Sequence, residues 1–398
     1  MVHRLSGPAP DCSPKRALER RSAVTEPRPA PMLPTQQITV KLRLRDKYAA
    51  ELNRQARAVN FVWNYCNEAQ RHVLRWDRWL SKYDLMRLTA GAGAELNLHA
   101  HTIQRVCRQY VESRKQHRLP WLRWRGRKSL GWVPFNTGHV SFDGAAFTFR
   151  GVRYEPMHLR DVLKPGIEIG AGSFNADSRG RWYLNVPIEI ECATSAPNTR
   201  AGIDLGLKDL ATLSDGVKIE APRLYRKSEA KLATIQRARK VPKRVRAIHA
   251  KVANRRKDFL HKESTKIAEK YGFIAIGDVD PSKLTQTTMA KSVLDAGWSD
   301  FKRMLSYKAI THGGSTLEVC ESWTSQVCSE CGCLPASRPR GIADLAVREW
   351  RCDDCGTIHD RDVNSARNIL RLGLETLVEG ASRCRPGAPE APGFSRGE

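Results

Sequence analysis

The chain has 398 residues, 41% of them hydrophobic and 27% charged, a length for two or three compact units with enough apolar mass for their cores. Lys and Arg outnumber Asp and Glu by 67 to 42, so the formal charge is +25 and a polyanion is the expected partner. No apolar run reaches the length of about 18 residues that spans a membrane, and the basic N-terminus has no apolar stretch behind it, so membrane spanning and secretion are disfavoured and a cytoplasmic protein is expected.

Residues 1–34 and 376–398 are rich in Pro, Ser, Ala and Arg without apolar periodicity, and both are expected to be disordered tails. From Thr39 the alternation TVKLRLR predicts a strand with Val40, Leu42 and Leu44 on one face. The spacing of Leu52, Ala56, Val59, Phe61, Val62 and Tyr65 then predicts a helix, and a helical pattern continues to about residue 117. The chain next turns to RLPWLRWRGRKSLGWVPF and to short alternating segments as far as VPIEIE, which read as β structure. In that stretch Trp121, Trp124 and Trp132 alternate with Arg118, Arg123, Arg125, Arg127 and Lys128. Such a surface can stack bases on aromatic rings while guanidinium groups meet phosphates; the alternative is tryptophans packed in a core with solvated arginines between them.

At Arg200 a new unit begins. AGIDLGLKDLATLSDGVKI holds two apolar runs and an SDG turn, which predicts three antiparallel strands. Residues 223–257 read as two helices around VPK at 241–243 and are crowded with Lys and Arg. So one-sided a charge favours phosphate contact, through Arg244, Arg255 and Arg256, over a merely solvated face. YGFIAIGDV, SVLDAGWSDFKRMLSYKAI and STLEVC then read as strand, helix and strand, so the unit is expected to be a mixed sheet flanked by helices.

Two CxxC knuckles, Cys328–Cys331 and Cys352–Cys355, are each followed by a glycine that lets the backbone turn around an ion. Four thiolates fill a tetrahedral shell, so the expected ion is a structural Zn²⁺ in a ribbon over about 323–358, with Cys333 a neighbouring competitor. Reduced, intracellular thiols fit this pattern better than disulfides. Two carboxylates also stand out. Asp204 ends an apolar strand in GIDLG, as a turn former or a chemical group, and Asp362 opens a helix in HDRDVNSARNIL, as a cap or a ligand. A helix start held against a strand end would bring both together, as a hard cation requires.

The ordered set GIDLGLKDLATLSDG, a strand near 273–279, SWTSQVCSECG and CDDCGTIHDRDVNSARNIL closely resembles the RuvC-like nuclease half of the TnpB (OrfB-type) proteins of bacterial insertion sequences, relatives of the type V CRISPR effectors. The resemblance covers residues 200–375 strongly and 38–190 more loosely. It implies an α+β multidomain chain: a wedge-like β domain over 35–195 with a helical bundle inserted at about 48–117, then an RNase H-like (RuvC) mixed-sheet domain over 196–375 carrying the zinc ribbon. It also implies an RNA-guided DNA endonuclease of the bacterial cytoplasm, with a guide RNA from the transposon end, a double-stranded DNA target read beside a short flanking motif, and two Mg²⁺ ions held by clustered acids. Asp204 matches the first family acid and Asp362 the third, whereas the middle one, a Glu in the family, falls on Gly277. Asp278 should point to the opposite face of the strand. Glu321, at the end of the neighbouring strand, is the candidate replacement, with Glu318 a weaker one. The alternative is an RNA-guided DNA-binding protein that does not cut. Strand joining by the chain itself is disfavoured, because no Tyr nucleophile with a paired-His motif is visible.

Overall fold

The computed structural model describes residues 34–238, 242–281, 289–340, 344 and 346–379. The expected tails thus lie outside the described residues, apart from residue 34 and residues 376–379. In β1 (Thr35–Arg43) the predicted alternation buries Val40 and Leu42. Its partner is β7 (Trp182–Glu191), antiparallel with Val40 opposite Val186 and Leu42 opposite Leu184. The chain therefore leaves a sheet and returns to it, and the helices α1 (Ala49–Val73), α2 (Lys82–Leu88), α3 (Ala92–Leu96) and α4 (Ala100–His117) are an insertion. The four-stranded sheet runs β1-β7-β6-β2, with β2 (Trp132–Pro134) and β6 (Ser173–Ala176). A small sheet of β3 (Ser141–Phe142), β4 (Phe147–Phe149) and β5 (Val152–Tyr154) shares its core of Phe135, Phe149, Phe174 and Trp182.

The bundle closes on Val59, Val62, Trp63 and Cys66 of α1 against Ile103, Val106 and Tyr110 of α4. Phe61 and Tyr65, which the sequence places on the packing stripe, are exposed instead. At about 100° per residue the stripe through Leu52, Ala56, Val59, Val62 and Cys66 excludes them. Its continuation is polar: Asn67 and Gln70 are fully buried.

The second half is a five-stranded sheet in the order β10-β9-β8-β11-β12. Strands β8 (Arg200–Leu205), β9 (Asp209–Leu213) and β10 (Lys218–Glu220) are antiparallel, whereas β11 (Phe273–Gly277) runs parallel to both β8 and β12 (Ser315–Val319). The unbroken apolar run FIAIG suits a central strand covered on both faces. Ile274 and Ile276 pack towards Leu260 and Ile267 of α6 (Pro242–Lys270) and Phe301 and Leu305 of α8 (Trp298–Thr311). Two further helices, α5 (Leu224–Arg237) and α7 (Ala290–Ala296), adjoin α6. Phe273 and Ala275 face the other way, against Ile369 of α9 (Arg361–Glu379).

Helix α9 lies directly on β8. A Cβ at Gly202 would stand 2.0 Å from the Ala366 carbonyl oxygen and 2.6 Å from the Leu370 nitrogen, so only glycine lets the helix backbone approach this closely. Gly202→Ala is expected to lower stability by about 3 kcal/mol through overpacking, measured by urea unfolding; parental stability would show that α9 does not rest on β8. The helix also continues to Glu379, beyond the domain end expected at residue 375, because LETLV offers no breaker before Gly380. Between β12 and α9 the chain inserts the hairpin β13 (Glu349–Arg351) and β14 (Ile358–Asp360). Among the described residues no helix is long and apolar enough to cross a membrane.

Candidate active site, metal knuckles and nucleic-acid interface

Pairing of Ile203 with Ile276 puts Asp204 beside Gly277 at the ends of adjacent parallel strands. The Asp204 carboxylate is half-buried, and its Oδ1 accepts a hydrogen bond from Ser365 Oγ at 3.2 Å. Burial and the negative charges of Asp362 and Glu321 push the Asp204 carboxyl up to about 8, against the opposing pull of Ser365 and Arg361. Asp362 and Glu321 thus both act through space on the Asp204 carboxylate.

Asp362 is not the cap of its helix. Asp360 Oδ1 accepts the backbone N–H groups of Asp362 at 3.1 Å and Val363 at 3.0 Å. That leaves the Asp362 carboxylate outside the cap, facing Arg348 at 3.4 Å.

Glu321 occupies the space that Gly277 leaves. A Cβ at Gly277 would lie 2.7 Å from Glu321 Oε2 and 3.4 Å from Glu321 Cβ. The Glu321 N–H donates to Asp278 Oδ1 at 3.2 Å, and its carbonyl accepts from Thr324 Oγ1 at 2.8 Å. Burial and then Asp278 raise the Glu321 carboxyl above the usual range, with Lys302 opposing. Asp278 itself is exposed and braces the Glu321 backbone, while Glu318 pairs with Lys302 at 3.1 Å. Asp204, desolvated and repelled by Asp362 and Glu321, is suited to a hard divalent cation, which would relieve that repulsion.

The four knuckle thiols converge: their Sγ atoms all lie within 4.8 Å of one another. Cys328 is 3.7 Å from Cys355 and Cys331 is 3.8 Å from Cys352, matching the S···S distance of about 3.8 Å for a tetrahedral ion with bonds of about 2.3 Å. Cys333 stays out of the quartet, exposed and turned to the Cys331 carbonyl. The sequence reading missed His359, which is buried with Nε2 3.0 Å from Cys328 Sγ, where an imidazole N–H would stabilise a thiolate. It also missed a polar stripe on α9. Asn364 and Asn368 donate to the Val327 carbonyl at 2.8 and 2.7 Å, and Asn364 accepts the Ser329 N–H at 2.8 Å. Asn368 also reaches the Thr324 carbonyl at 2.9 Å, and Thr324 shares a hydrogen bond with Ser365 at 2.9 Å. One helix thus fixes Asp204 through Ser365 and grips the loop carrying both Glu321 and Cys328. The signal was present as Asn, Ser and Asn on the apolar side of a helix start.

The tryptophan-basic segment is held on α1 by side-chain amides. Asn67 exchanges two 2.8 Å hydrogen bonds with the Leu122 backbone, and Asn64 does the same with Arg125. Leu122 is buried, whereas Trp121 and Trp124 are 48% and 44% exposed, with the Arg71 guanidinium 5.6 and 6.0 Å from their ring centres. Arg123, Arg127 and Lys128 are exposed beside them. Trp132 belongs to the core side, set edge-on to Trp63. Arg125, expected among the phosphate contacts, faces inward instead: its guanidinium bonds Asn60 at 2.6 Å and the Leu130 carbonyl at 2.8 Å between Trp63 and Trp132. On α6, Arg244 and Arg255 are exposed, but Arg256 bonds the Leu294 carbonyl at 2.7 Å and lies 3.7 Å from Asp295, tying α6 to α7.

Two family profiles match the second half of the chain: OrfB_IS605, described as a probable transposase, over residues 184–288, and the Cas12f1-like TNB domain over residues 298–369. A Streptomyces pristinaespiralis protein with the provisional name RNA-guided DNA endonuclease is 32% identical over 380 residues, which cover 86% of this chain and 89% of that protein. InsQ of Escherichia coli K12, of the same provisional name, is 33% identical over 234 residues, 52% of this chain and 57% of its own. The CRISPR-associated endodeoxyribonuclease Cas12f1 of Sulfoacidibacillus thermotolerans is 26% identical over 245 residues, 54% of this chain and 56% of its own. A relative aligned over nearly its whole length, together with both profiles, shows that the chain belongs to the TnpB (OrfB-type) family.

Proposed function

We propose that the protein is an RNA-guided, divalent-metal-dependent DNA endonuclease of a bacterial insertion sequence, which cuts double-stranded DNA beside a short flanking motif. The observation that carries this reading is the Glu321 carboxylate standing over Gly277, close enough to Asp204 to raise its pKa. In this assignment Asp204, Glu321 and Asp362 hold the ions, expected to be two Mg²⁺. Such ions, when bound, activate a water and stabilise the leaving oxygen of an in-line displacement. Ser365 orients the Asp204 carboxylate, and Asp278 fixes the turn that presents Glu321. Cys328, Cys331, Cys352 and Cys355 hold a structural Zn²⁺ that shapes the loop following Glu321. Trp121 and Trp124 offer stacking faces, and Arg123, Arg127, Lys128, Arg244 and Arg255 offer phosphate contacts. A guide RNA from the transposon end supplies sequence by base pairing, and the +25 chain grips both polyanions. The work is expected in the bacterial cytoplasm, without a membrane partner.

Gly277 favours one second reading, an RNA-guided DNA-binding protein that has lost cleavage. The test is a plasmid library with a randomised stretch beside a fixed target, given to protein coexpressed with its flanking transposon-end RNA, with and without Mg²⁺. Cleavage by the parent, weakened in Asp278→Ala and lost in Asp204→Ala, is the expected result. RNA and target binding without cutting in Mg²⁺ or Mn²⁺ would overturn the nuclease assignment and leave the binding protein.

A further inference from the structure

We propose that His99, His101 and His139 form a second metal site, which takes one Zn²⁺ or similar transition-metal ion where the inserted helical bundle meets the β-rich domain. His99 and His101 flank the first residue of α4, and His139 stands in the turn between β2 and β3, so the ligands come from both sides of that junction. The ring centroids are 5.2 Å apart for His99 and His101, 4.9 Å for His99 and His139, and 4.2 Å for His101 and His139. One nitrogen of each ring lies within 4.8 Å of the others. Zn–N bonds of about 2.0–2.1 Å in a tetrahedral shell need nitrogens about 3.4 Å apart, a closure that side-chain rotation supplies.

The surroundings suit ligation by neutral imidazoles. His101 Nδ1 lies 3.1 Å from Gln104 Oε1; with Nδ1–H donating there, the free lone pair is on Nε2. A carbonyl oxygen behind a ligating histidine is the usual outer partner that fixes tautomer and ring plane. His99 Nδ1 accepts the His101 N–H at a long 3.3 Å, a contact it gives up if Nε2 takes the ion. Arg150 is the opposing charge, but its guanidinium is directed at Asn97, bonding the backbone oxygen and Oδ1 at 2.8 Å each.

An all-imidazole set with no carboxylate selects Zn²⁺, Ni²⁺ or Co²⁺ over Mg²⁺, so this site differs in chemistry from the carboxylate cluster and in ligands from the thiolate quartet. It also has a distinct consequence. Asn97 and Arg150 already bridge α3 to the turn between β4 and β5. A metal on the three histidines would add a second cross-link, stiffening the attachment of the bundle that carries Trp121 and Trp124 against α1.

Metal content of the full, untagged chain tests this, measured by mass spectrometry after equilibration with Zn²⁺ and desalting. The parent is expected to carry two zinc per chain, His101→Asn and His139→Asn one each, and Cys352→Ser to keep the histidine-bound ion. Added Zn²⁺ should raise the melting temperature of zinc-depleted parent in two resolved steps and that of His139→Asn in one. Gln104→Leu, which keeps all three ligands but removes the partner behind His101, should weaken the second step about 10–100-fold and guards against variants that fail to fold. One zinc per parent chain, or two in both histidine variants, would overturn the site and leave three stacked rings.

Discussion

Glu321→Ala is expected to lower guided DNA cleavage about a hundredfold or more while leaving RNA and target binding at the parental level. The scale follows from the shell lost: partners behind a ligand typically cost 10–100-fold, and Glu321 is assigned as a ligand. The stronger form of this prediction is a rescue. The Glu321 Oε2 lies 2.7 Å from where a Cβ on Gly277 would begin, so the two positions compete for one volume. Gly277→Glu alone should therefore cut poorly, because two carboxylates are forced together, whereas Gly277→Glu combined with Glu321→Ala should regain most of the activity. Single-turnover cleavage of a matched plasmid in Mg²⁺ separates the cases. Parental cutting by Glu321→Ala would remove Glu321 from the site, and a double variant as inactive as the single would show that position 277 no longer faces the other acids.

What the sequence disclosed was mostly local. The alternation in TVKLRLR, the apolar run FIAIG and the two CxxC knuckles each encode their own geometry within a few residues, and the faces they imply are the faces observed. Asp204 was visible because an acid at the end of a buried strand is conspicuous. Partner choice across long separations was not visible. Arg125 and Arg123 are indistinguishable as text, yet Asn60, some sixty residues earlier, draws only Arg125 inward. The same applies to Arg256, which finds the Leu294 carbonyl on another helix. Asp362 was read as a cap or a ligand, and the cap is instead Asp360, two residues earlier, whose carboxylate takes the free N–H groups. Periodicity also mistook the exposed Phe61 and Tyr65 for core, since a hydrophobic residue one position off the stripe fits the same rough spacing.

Asp204→Asn is expected to make the Mg²⁺-free protein more stable than the parent at pH 8, and to reverse that order when Mg²⁺ is added. The Asp204 carboxyl is raised from 3.8 to about 8, first by burial and then by Asp362 and Glu321. Between those values the folded state keeps a proton that the unfolded chain has released, so the parent loses stability as pH rises through that window. Below about pH 4 both states are protonated and this contribution vanishes. After solvent screening of a half-buried group, the cost at pH 8 is a few kcal/mol. Asparagine keeps an Oδ1 for the Ser365 hydroxyl while carrying no charge, so it removes the repulsion and leaves the hydrogen bond. A cation binding only the folded parent then adds stability by mass action, which the variant cannot gain. Thermal unfolding at pH 5 and pH 8, in zinc-containing buffer with or without Mg²⁺, reads all four combinations. The variant should gain most at pH 8 without Mg²⁺ and least at pH 5. Equal stability of the two proteins at pH 8 in both buffers would mean that the three carboxylates neither strain the fold nor hold a metal there.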